Sequence, residues 1–127
     1  MYHIKVKHFF DASHQLKDCK TLETKACSHL HGHTYAVVVE AEKKLLNKSE
    51  MVIDFKTIKR IIDVLDHQNL NDIFKKYDFS KKWETTAERV AQFIYELIKR
   101  EVKLDSIVSV AEGYKGAVKS SWITYHK

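Results

Sequence analysis

The stretch Cys27-Ser-His-Leu-His31-Gly-His33-Thr-Tyr-Ala-Val-Val-Val-Glu-Ala-Glu42 joins a thiol and three imidazoles to a run of alternating apolar residues. The alternation predicts a strand over Thr34–Glu42. Side chains two residues apart on a strand point to the same side, so His31 and His33 can both reach one metal ion. A catalytic zinc usually takes three protein ligands and keeps a fourth position open. The third ligand must therefore come from elsewhere in the chain.

The first strand offers a candidate for that third ligand. Tyr2–His14 alternates between an apolar and a polar face, which predicts a half-buried strand, and His14 ends it on the apolar side. A single histidine in that position is more often a core residue than a ligand. The incomplete pair formed by His31 and His33 reverses this preference, so the spacing favours a zinc site made of these three histidines.

The segment between these strands, Gln15–Ser28, is polar and aperiodic, so we expect a loop that carries both cysteines. Cys27 is either a fourth zinc ligand or a free thiolate whose acidity is raised by the nearby cation. His29 shares the parity of His31 and is an alternative ligand. Spacing alone leaves these alternatives open.

A first helix is predicted after Asp54, a plausible N-cap, because apolar residues follow it at helical spacing as far as Leu65. We expect the helix to end at Asp66-His67. By pattern alone this pair is an ordinary polar helix end.

A charged linker is predicted over Ile73–Lys82, followed by a second helix that begins near Thr85. The sequence Thr85-Thr-Ala-Glu88 fits a capping box, with Thr85 at the N-cap and Glu88 at N3. The capping box is a sufficient structural reason for Glu88.

Two further strands are predicted, over Ile107–Tyr114 and Ala117–Tyr125. Glu112 is a carboxylate on an otherwise apolar face, which indicates a paired or ligand-binding group because an unpaired buried charge is costly. The element order ββααββ predicts an α+β fold, a four-stranded antiparallel sheet with two helices on one face. We expect residues 1–127 to form a single domain, and its open sheet face needs cover that a partner subunit could supply.

Composition excludes several classes of protein. The chain has 127 residues, of which 44% are hydrophobic, and no apolar run approaches the roughly 20 residues of a membrane span. The first residues alternate like a strand and do not form a signal peptide, so we expect a cytoplasmic protein without membrane contact. The net charge of +5 suits a small anionic substrate, and the sequence contains no nucleic-acid-binding motif.

Several short motifs together resemble one known family. They are Phe10-Asp-Ala-Ser-His14, Cys27-x-x-x-His31-Gly-His33, Ile53-Asp-Phe55, Leu65-Asp-His67 with Leu70-Asn71, Thr86-Ala-Glu88, and Glu112. Their order over nearly the whole chain is similar to that of the 6-pyruvoyltetrahydropterin synthase family, within its 6-carboxytetrahydropterin synthase (QueD) branch. The resemblance implies the tunnelling fold, or T-fold, and homotrimers or stacked homohexamers with sites at subunit interfaces.

The resemblance also implies roles for particular residues. Zinc would be bound by His14, His31 and His33, with Cys27 free as the general base. Asp66 and His67 would transfer protons together with the cysteine. Glu112 would anchor the pterin. Thr86 and Glu88 would lie beside the pterin pocket.

The implied reaction is that of a zinc-dependent lyase of queuosine biosynthesis. It converts 7,8-dihydroneopterin triphosphate to 6-carboxy-5,6,7,8-tetrahydropterin, acetaldehyde and triphosphate. The three-residue gap between Cys27 and His31 is the short form, which favours this branch over the 6-pyruvoyl branch. A 6-pyruvoyltetrahydropterin synthase is the near alternative, and a non-catalytic zinc-binding structural domain, with Cys27 as fourth ligand, is the alternative from another class.

The sequence departs from the family pattern at three positions. Thr85 stands where proline is often found, Arg89 where asparagine is frequent, and Gly113 where threonine is common. The last of these leaves the immediate support of Glu112 different from that of the family.

Overall fold

The computed structural model describes residues 1–17, 28–112 and 121–127, and a long antiparallel hairpin is its framework. Strand β1, Tyr2–His14, has the predicted bounds, and strand β2, His31–Lys43, begins three residues before the predicted start and ends one residue later. The register pairs Tyr2 with Lys43 at one end and His14 with His31 at the other. The histidines of the HGH motif are therefore part of the strand itself.

Two shorter strands extend the sheet from β2. Strand β4, Ile107–Ala111, pairs antiparallel with β2, and strand β5, Ile123–Tyr125, pairs antiparallel with β4. The third strand was predicted to reach Tyr114, but the strand ends at Ala111, and positions 113 and 114 lie outside the described residues. Positions 117 to 120 of the predicted fourth strand lie outside them as well.

A fifth strand lies at the other edge. Strand β3, Gln68–Asn69, pairs in parallel with Ala12 and Ser13 of β1. The sheet order over the described residues is β3-β1-β2-β4-β5. The prediction of four antiparallel strands is confirmed, and the two-residue parallel strand is an addition that is too short to show a period in the sequence.

Helix α1, Phe55–Ile62, begins where predicted, because the side chain of Asp54 accepts a hydrogen bond from the Lys56 N–H group. It is followed by a 3-10 turn, Asp63–Leu65. The prediction that the helix runs to Asp66-His67 is therefore wrong. Asp66 is extended, and His67 is left-handed, with φ of 59°.

Two more helices follow in the described part of the chain. Helix α2, Leu70–Lys75, replaces the first residues of the predicted linker, because its buried side chains hold it against the core despite its charged surroundings. Helix α3, Ala87–Val102, has Thr86 as its N-cap, with the Thr86 hydroxyl accepting from the Arg89 N–H group. The predicted capping box is wrong by one residue, because Thr85 is fully buried and turned inward.

The hydrophobic core lies between one face of the sheet and the helices. It combines even-numbered residues of β1 and odd-numbered residues of β2 with the apolar stripes of α1 and α3. The α+β class, with helices on one face, is confirmed. On the opposite face Phe9 is half exposed. None of the described helices is long and apolar enough to cross a membrane.

Phe93 of α3 lies at the centre of an aromatic cluster, so its substitution tests the packing of the core. It is fully buried, and its ring stacks on Phe74 with 4.6 Å between centroids. We expect Phe93→Ala to lower the free energy of unfolding by about 3–5 kcal/mol, because it removes a large buried side chain and leaves a cavity. The matched control is Leu45→Ala, at a position 82% exposed. Urea unfolding at equal protein concentration measures both, and equal stability of the two variants would contradict this packing.

Candidate active site

Three histidines converge at the end of the β1–β2 hairpin. The ring centroids of His14 and His31 are 4.6 Å apart, those of His14 and His33 are 5.1 Å apart, and those of His31 and His33 are 4.7 Å apart. One ligand nitrogen of each ring lies within 4.8 Å of the other two. These residues form a group that could hold a metal ion, as predicted from the spacing.

Backbone carbonyls fix two of the three rings. His14 Nδ1 lies 2.7 Å from the carbonyl oxygen of Thr85, and His31 Nδ1 lies 2.7 Å from that of His29. A carbonyl can only accept, so both Nδ1 atoms are donors and both Nε2 atoms are left as acceptors. Metal-binding histidines are commonly oriented by such a contact. His29 thus supports His31 through its main chain, and its side chain does not join the group of ligand atoms.

The residues present fit a divalent metal. His14 is 2% exposed, and within the described residues its Nε2 is buried without a hydrogen-bond partner. Burial lowers the pKa of His14, although the Thr85 carbonyl acts in the opposite direction and the charge of His31 adds to the lowering. The neutral imidazole that a metal requires is thereby favoured. A buried imidazole nitrogen that accepts no hydrogen bond from the described residues is available to bind a cation.

Glu112 lies beside this group. Its Oε2 is 4.0 Å from His14 Nε2, and its side chain is 38% exposed. Partial burial raises the pKa of the Glu112 carboxyl; the charge of His31 lowers it, and that of Glu88 raises it again. Glu112 is therefore a partly desolvated acceptor at the mouth of the histidine group, and Glu88 is near enough to act on it.

Tyr35 forms the floor of the site. Its ring is fully buried and stacks on Phe10, with 4.7 Å between centroids, and its centroid lies 5.6 Å from that of His33. Burial raises the pKa of the Tyr35 phenol, and the charge of Glu112 acts in the same direction. The hydroxyl therefore stays protonated. Tyr35 falls within the predicted strand Thr34–Glu42, but a part in the site was not predicted for it.

Asp66 and His67 form a second group, separate from the three histidines. His67 Nδ1 lies 3.0 Å from Asp66 Oδ2, and the other carboxylate oxygen accepts from the Asp11 N–H group at 2.9 Å. The Asp11 hydrogen bond is the main cause that lowers the pKa of Asp66, and His67 adds to it. Ligand atoms of Asp11, Asp66 and His67 lie within 4.8 Å of one another.

A cavity of about 550 Å³ lies beside the second group, on the face of the β1–β2 hairpin opposite the three histidine side chains. Its lining includes Asp11, Gly32, His33, Thr34 and His67. This volume is in the range of small-molecule pockets, roughly 300–1,000 Å³. His67 thus adjoins an open space that also contacts β2 at the strand positions of Gly32, His33 and Thr34.

Thr85, two residues before the first residue of α3, brings the start of this helix close to the three histidines. The hydroxyl of this fully buried residue is 3.2 Å from His14 Nδ1, in addition to the carbonyl contact. Thr86 caps α3, so Glu88 is at N2 and the capping-box explanation for Glu88 no longer holds. The negative charge of Glu88 in the first turn of α3 is favoured by the helix dipole.

Cys27 lies outside the described residues, and the choice between ligand and free thiol stays a prediction. Four contributors to the site were not predicted from the sequence: Tyr35, Thr85, whose carbonyl orients His14, and the pair Asp11 and Thr34. The contacts of Thr85 and Asp11 join residues far apart in the chain, so no local spacing signals them. The only available signal was that Asp11 precedes His14 within the same motif.

The comparisons with known proteins agree with this geometry. A family model described as 6-pyruvoyl tetrahydropterin synthase matches residues 3–123. The chain belongs to this family. It is similar in fold to the 6-pyruvoyl tetrahydropterin synthase of Caenorhabditis elegans, with a TM-score of 0.70 and 25% identity over 99% of this chain and 95% of that structure. The predicted T-fold is thereby confirmed.

Relatives within the family carry different names. The chain is 32% identical to the 6-carboxy-5,6,7,8-tetrahydropterin synthase of Haemophilus influenzae, over 87% of this chain and 90% of the relative. It is also 32% identical to the dihydroneopterin monophosphate aldolase of Pyrococcus furiosus, over 89% of this chain and 91% of the relative. Family membership therefore leaves the reaction to be decided by the site.

Metal content tests the histidine group. We expect wild-type protein to retain about one zinc ion per chain after dialysis and His14→Ala to retain almost none, because two imidazoles do not complete a three-ligand site. The matched control is His126→Ala, at an exposed position. Elemental analysis with circular dichroism on the same samples makes the measurement. A folded His14→Ala protein that keeps its zinc would contradict the assignment.

Proposed function

We propose that this chain is a zinc-dependent 6-carboxy-5,6,7,8-tetrahydropterin synthase acting on 7,8-dihydroneopterin triphosphate. The observation that carries the proposal is the distance of 4.0 Å between Glu112 Oε2 and His14 Nε2, beside the imidazoles of two further histidines. This arrangement provides a metal group and a carboxylate anchor within the span of one small molecule. A structural metal site would require no such anchor.

The choice among the family's reactions follows from two features. Three residues separate Cys27 from His31, which is the short form of this loop. The Haemophilus influenzae relative named 6-carboxy-5,6,7,8-tetrahydropterin synthase matches over most of both chains with 32% identity. The equal similarity to a dihydroneopterin monophosphate aldolase makes aldol cleavage of 7,8-dihydroneopterin monophosphate a second candidate.

Zinc suits the donor set, because three neutral imidazoles with an open fourth position are typical of catalytic zinc. When bound, zinc would supply a Lewis acid that polarises a hydroxyl or keto oxygen of the substrate. His14, His31 and His33 would hold it. The carbonyls of Thr85 and His29 keep the rings of His14 and His31 in the required tautomer and orientation.

Recognition of the pterin falls to the carboxylate residues beside the metal group. Glu112 would accept hydrogen bonds from the guanidine-like edge of the base, and its partial burial strengthens such bonds. Glu88 acts on Glu112 electrostatically and so lies close to the same space. With Thr86 it would line the pterin pocket from the start of α3.

Proton movement falls to Cys27 and to the Asp66–His67 pair. Cys27 would take a proton from the substrate side chain as general base. His67 Nδ1 is held by Asp66, so its Nε2 is directed away from that carboxylate and is free to exchange protons. With 79% of its side chain exposed, His67 is accessible to a substrate or to another subunit.

The site would be completed at a subunit interface. Asp11, which clusters with His67, is on the opposite face of β1 from His14, because their positions differ in parity. The outer edge of β1 has a strand partner in the described residues only at Ala12 and Ser13. An unpaired sheet edge is a ready surface for strand pairing. We propose a homotrimer, alone or stacked as a hexamer, in which Asp66 and His67 serve a neighbour's metal group.

The product assay is the direct test of the reaction. Wild-type protein with zinc should convert 7,8-dihydroneopterin triphosphate to 6-carboxytetrahydropterin and acetaldehyde. Cys27→Ala should lose at least about 100-fold in rate, because a general base typically contributes 10²–10⁴-fold, and should keep its zinc. Mass spectrometry of products and elemental analysis give both readouts.

Each contrary product identifies one alternative. A product that keeps its three-carbon side chain would assign the 6-pyruvoyl reaction. In a parallel assay with 7,8-dihydroneopterin monophosphate, cleavage to a 6-hydroxymethyl pterin and a phosphorylated two-carbon aldehyde would assign the aldolase reaction. Loss of zinc in Cys27→Ala would make the thiol a ligand. A wild-type protein that binds zinc and leaves both substrates unchanged would favour a structural domain.

Mixed oligomers test the interface. Cys27→Ala and His67→Ala chains, each inactive alone, should regain about a quarter of wild-type activity when co-expressed, because random mixing places both intact groups at one in four interfaces. Two different affinity tags allow mixed oligomers to be isolated. The control is a mixture of Cys27→Ala with tagged Cys27→Ala. Activity no higher than in this control would place the whole site within one chain.

A further inference from the structure

Asp11 holds both members of the Asp66–His67 pair through its main chain. Its N–H group donates to Asp66 Oδ1 at 2.9 Å, and its carbonyl oxygen accepts from the His67 N–H group at 2.7 Å. Between these two contacts the chain turns so sharply that His67 adopts φ of 59°. A non-glycine residue in this region is strained by roughly 1–3 kcal/mol and persists only where its surroundings fix it.

The side chain of Asp11 is fixed in turn by Thr34. The Thr34 hydroxyl donates to Asp11 Oδ1, and the two residues are directly opposite each other in the β1–β2 register. Thr34 follows His33 on the strand that carries two of the three histidines. A single cross-strand hydrogen bond therefore connects the metal-binding strand to the residue that clamps the proton-transfer pair.

We propose that Asp11, anchored by Thr34, is a positioning residue that sets the place of His67 in the catalytic site. The inference rests on the proposed function for its kinetic consequence and on the structure alone for its mechanical one. Asp11 does not need to touch the substrate. Its hydrogen bond to Thr34 holds β1 in line with β2 at the point where His67 is attached.

The location of His67 explains why this alignment affects the rate. Asp11, Thr34 and His67 line one cavity on the open face of the hairpin, and from this face His67 is proposed to serve a neighbour's metal group. A proton carrier must be within hydrogen-bond reach of the atom that it serves, and a displacement of about 1 Å lowers a rate by up to roughly 100-fold. The lowered pKa of Asp66, caused first by the Asp11 N–H group, is consistent with a tight clamp.

Four substitutions separate alignment from charge. Asp11→Ala and Thr34→Val each remove the cross-strand hydrogen bond, Asp11→Asn keeps an acceptor oxygen but removes the charge, and Thr34→Ser keeps the hydroxyl. The matched control is Thr124→Val, because the Thr124 and Ser109 hydroxyls form a comparable cross-strand contact of 2.8 Å away from the cavity.

Steady-state kinetics on the zinc-loaded oligomer provide the first readout. Asp11→Ala and Thr34→Val should lower kcat about tenfold with KM changed less than about twofold, because binding groups are untouched and proton transfer is misaligned. Asp11→Asn, Thr34→Ser and Thr124→Val should keep kcat within about threefold of wild type. Wild-type kcat in Asp11→Ala, a rise in KM in place of the fall in kcat, or an Asp11→Asn variant as slow as Asp11→Ala would overturn the proposal.

Hydrogen exchange at the His67 main-chain amide provides a second readout that requires no reaction. Exchange should be at least about tenfold faster in Asp11→Ala and Thr34→Val than in wild type, and unchanged in Asp11→Asn and Thr124→Val, because it reports local opening of the clamp. If the wild-type enzyme turns over no pterin, the proposed function fails. The exchange rates still test whether Asp11 and Thr34 hold His67 in place. An unchanged His67 amide in Asp11→Ala would overturn the inference by itself.

Discussion

The register between β1 and β2 is the constraint on which the candidate site depends. Because side chains alternate with a period of two, pairing His14 with His31 places both on the face that also carries His33. A slip of one residue would turn His14 to the open face and leave two ligands. The stacked rings of Phe10 and Tyr35, directly opposite each other in the same ladder, oppose such a slip.

That register also has an electrostatic consequence. Together with the pairing of β4 to β2, it places the buried imidazole of His14 and the partly buried carboxylate of Glu112 at one end of an otherwise apolar core. Desolvation opposes the charged form of each group, lowering the pKa of His14 and raising that of Glu112. Burial of His14 thus favours the neutral imidazole that binds a cation. The strongly hydrogen-bonded Asp66, at the exposed edge, retains its charge.

Periodic patterns predicted the long elements well and the short ones poorly. The first strand and the start of α1 follow directly from the alternation of Tyr2–His14 and from the cap at Asp54. Helix α2 was missed because six residues cover fewer than two turns, and a charged surface hides its few buried side chains. The N-cap of α3 was predicted at Thr85 but is Thr86, because the burial of Thr85 against His14 overrides its local helix-capping preference.

The same distinction applies to the site. Parity and spacing were sufficient to group three histidines from two strands. The contact between His14 and Thr85 joins residues 71 positions apart, and the clamp of Asp11 on Asp66 spans 55. Such contacts depend on how the helices are laid over the sheet, which local sequence does not encode. By sequence pattern, Asp66 and His67 were predicted to be an ordinary polar helix end. In the structure they lie beyond the helix and the 3-10 turn that follows it.

The carbonyl contact to His14 makes the orientation of this ligand robust to mutation. Thr85 holds the ring mainly through a main-chain oxygen, an atom that every amino acid possesses. Side-chain identity at position 85 can therefore drift during evolution as long as the backbone course into α3 is kept. A family that often has proline at this point and a chain that has threonine can share one ligand geometry, since the orienting atom is inherited with the backbone path and not with the residue type.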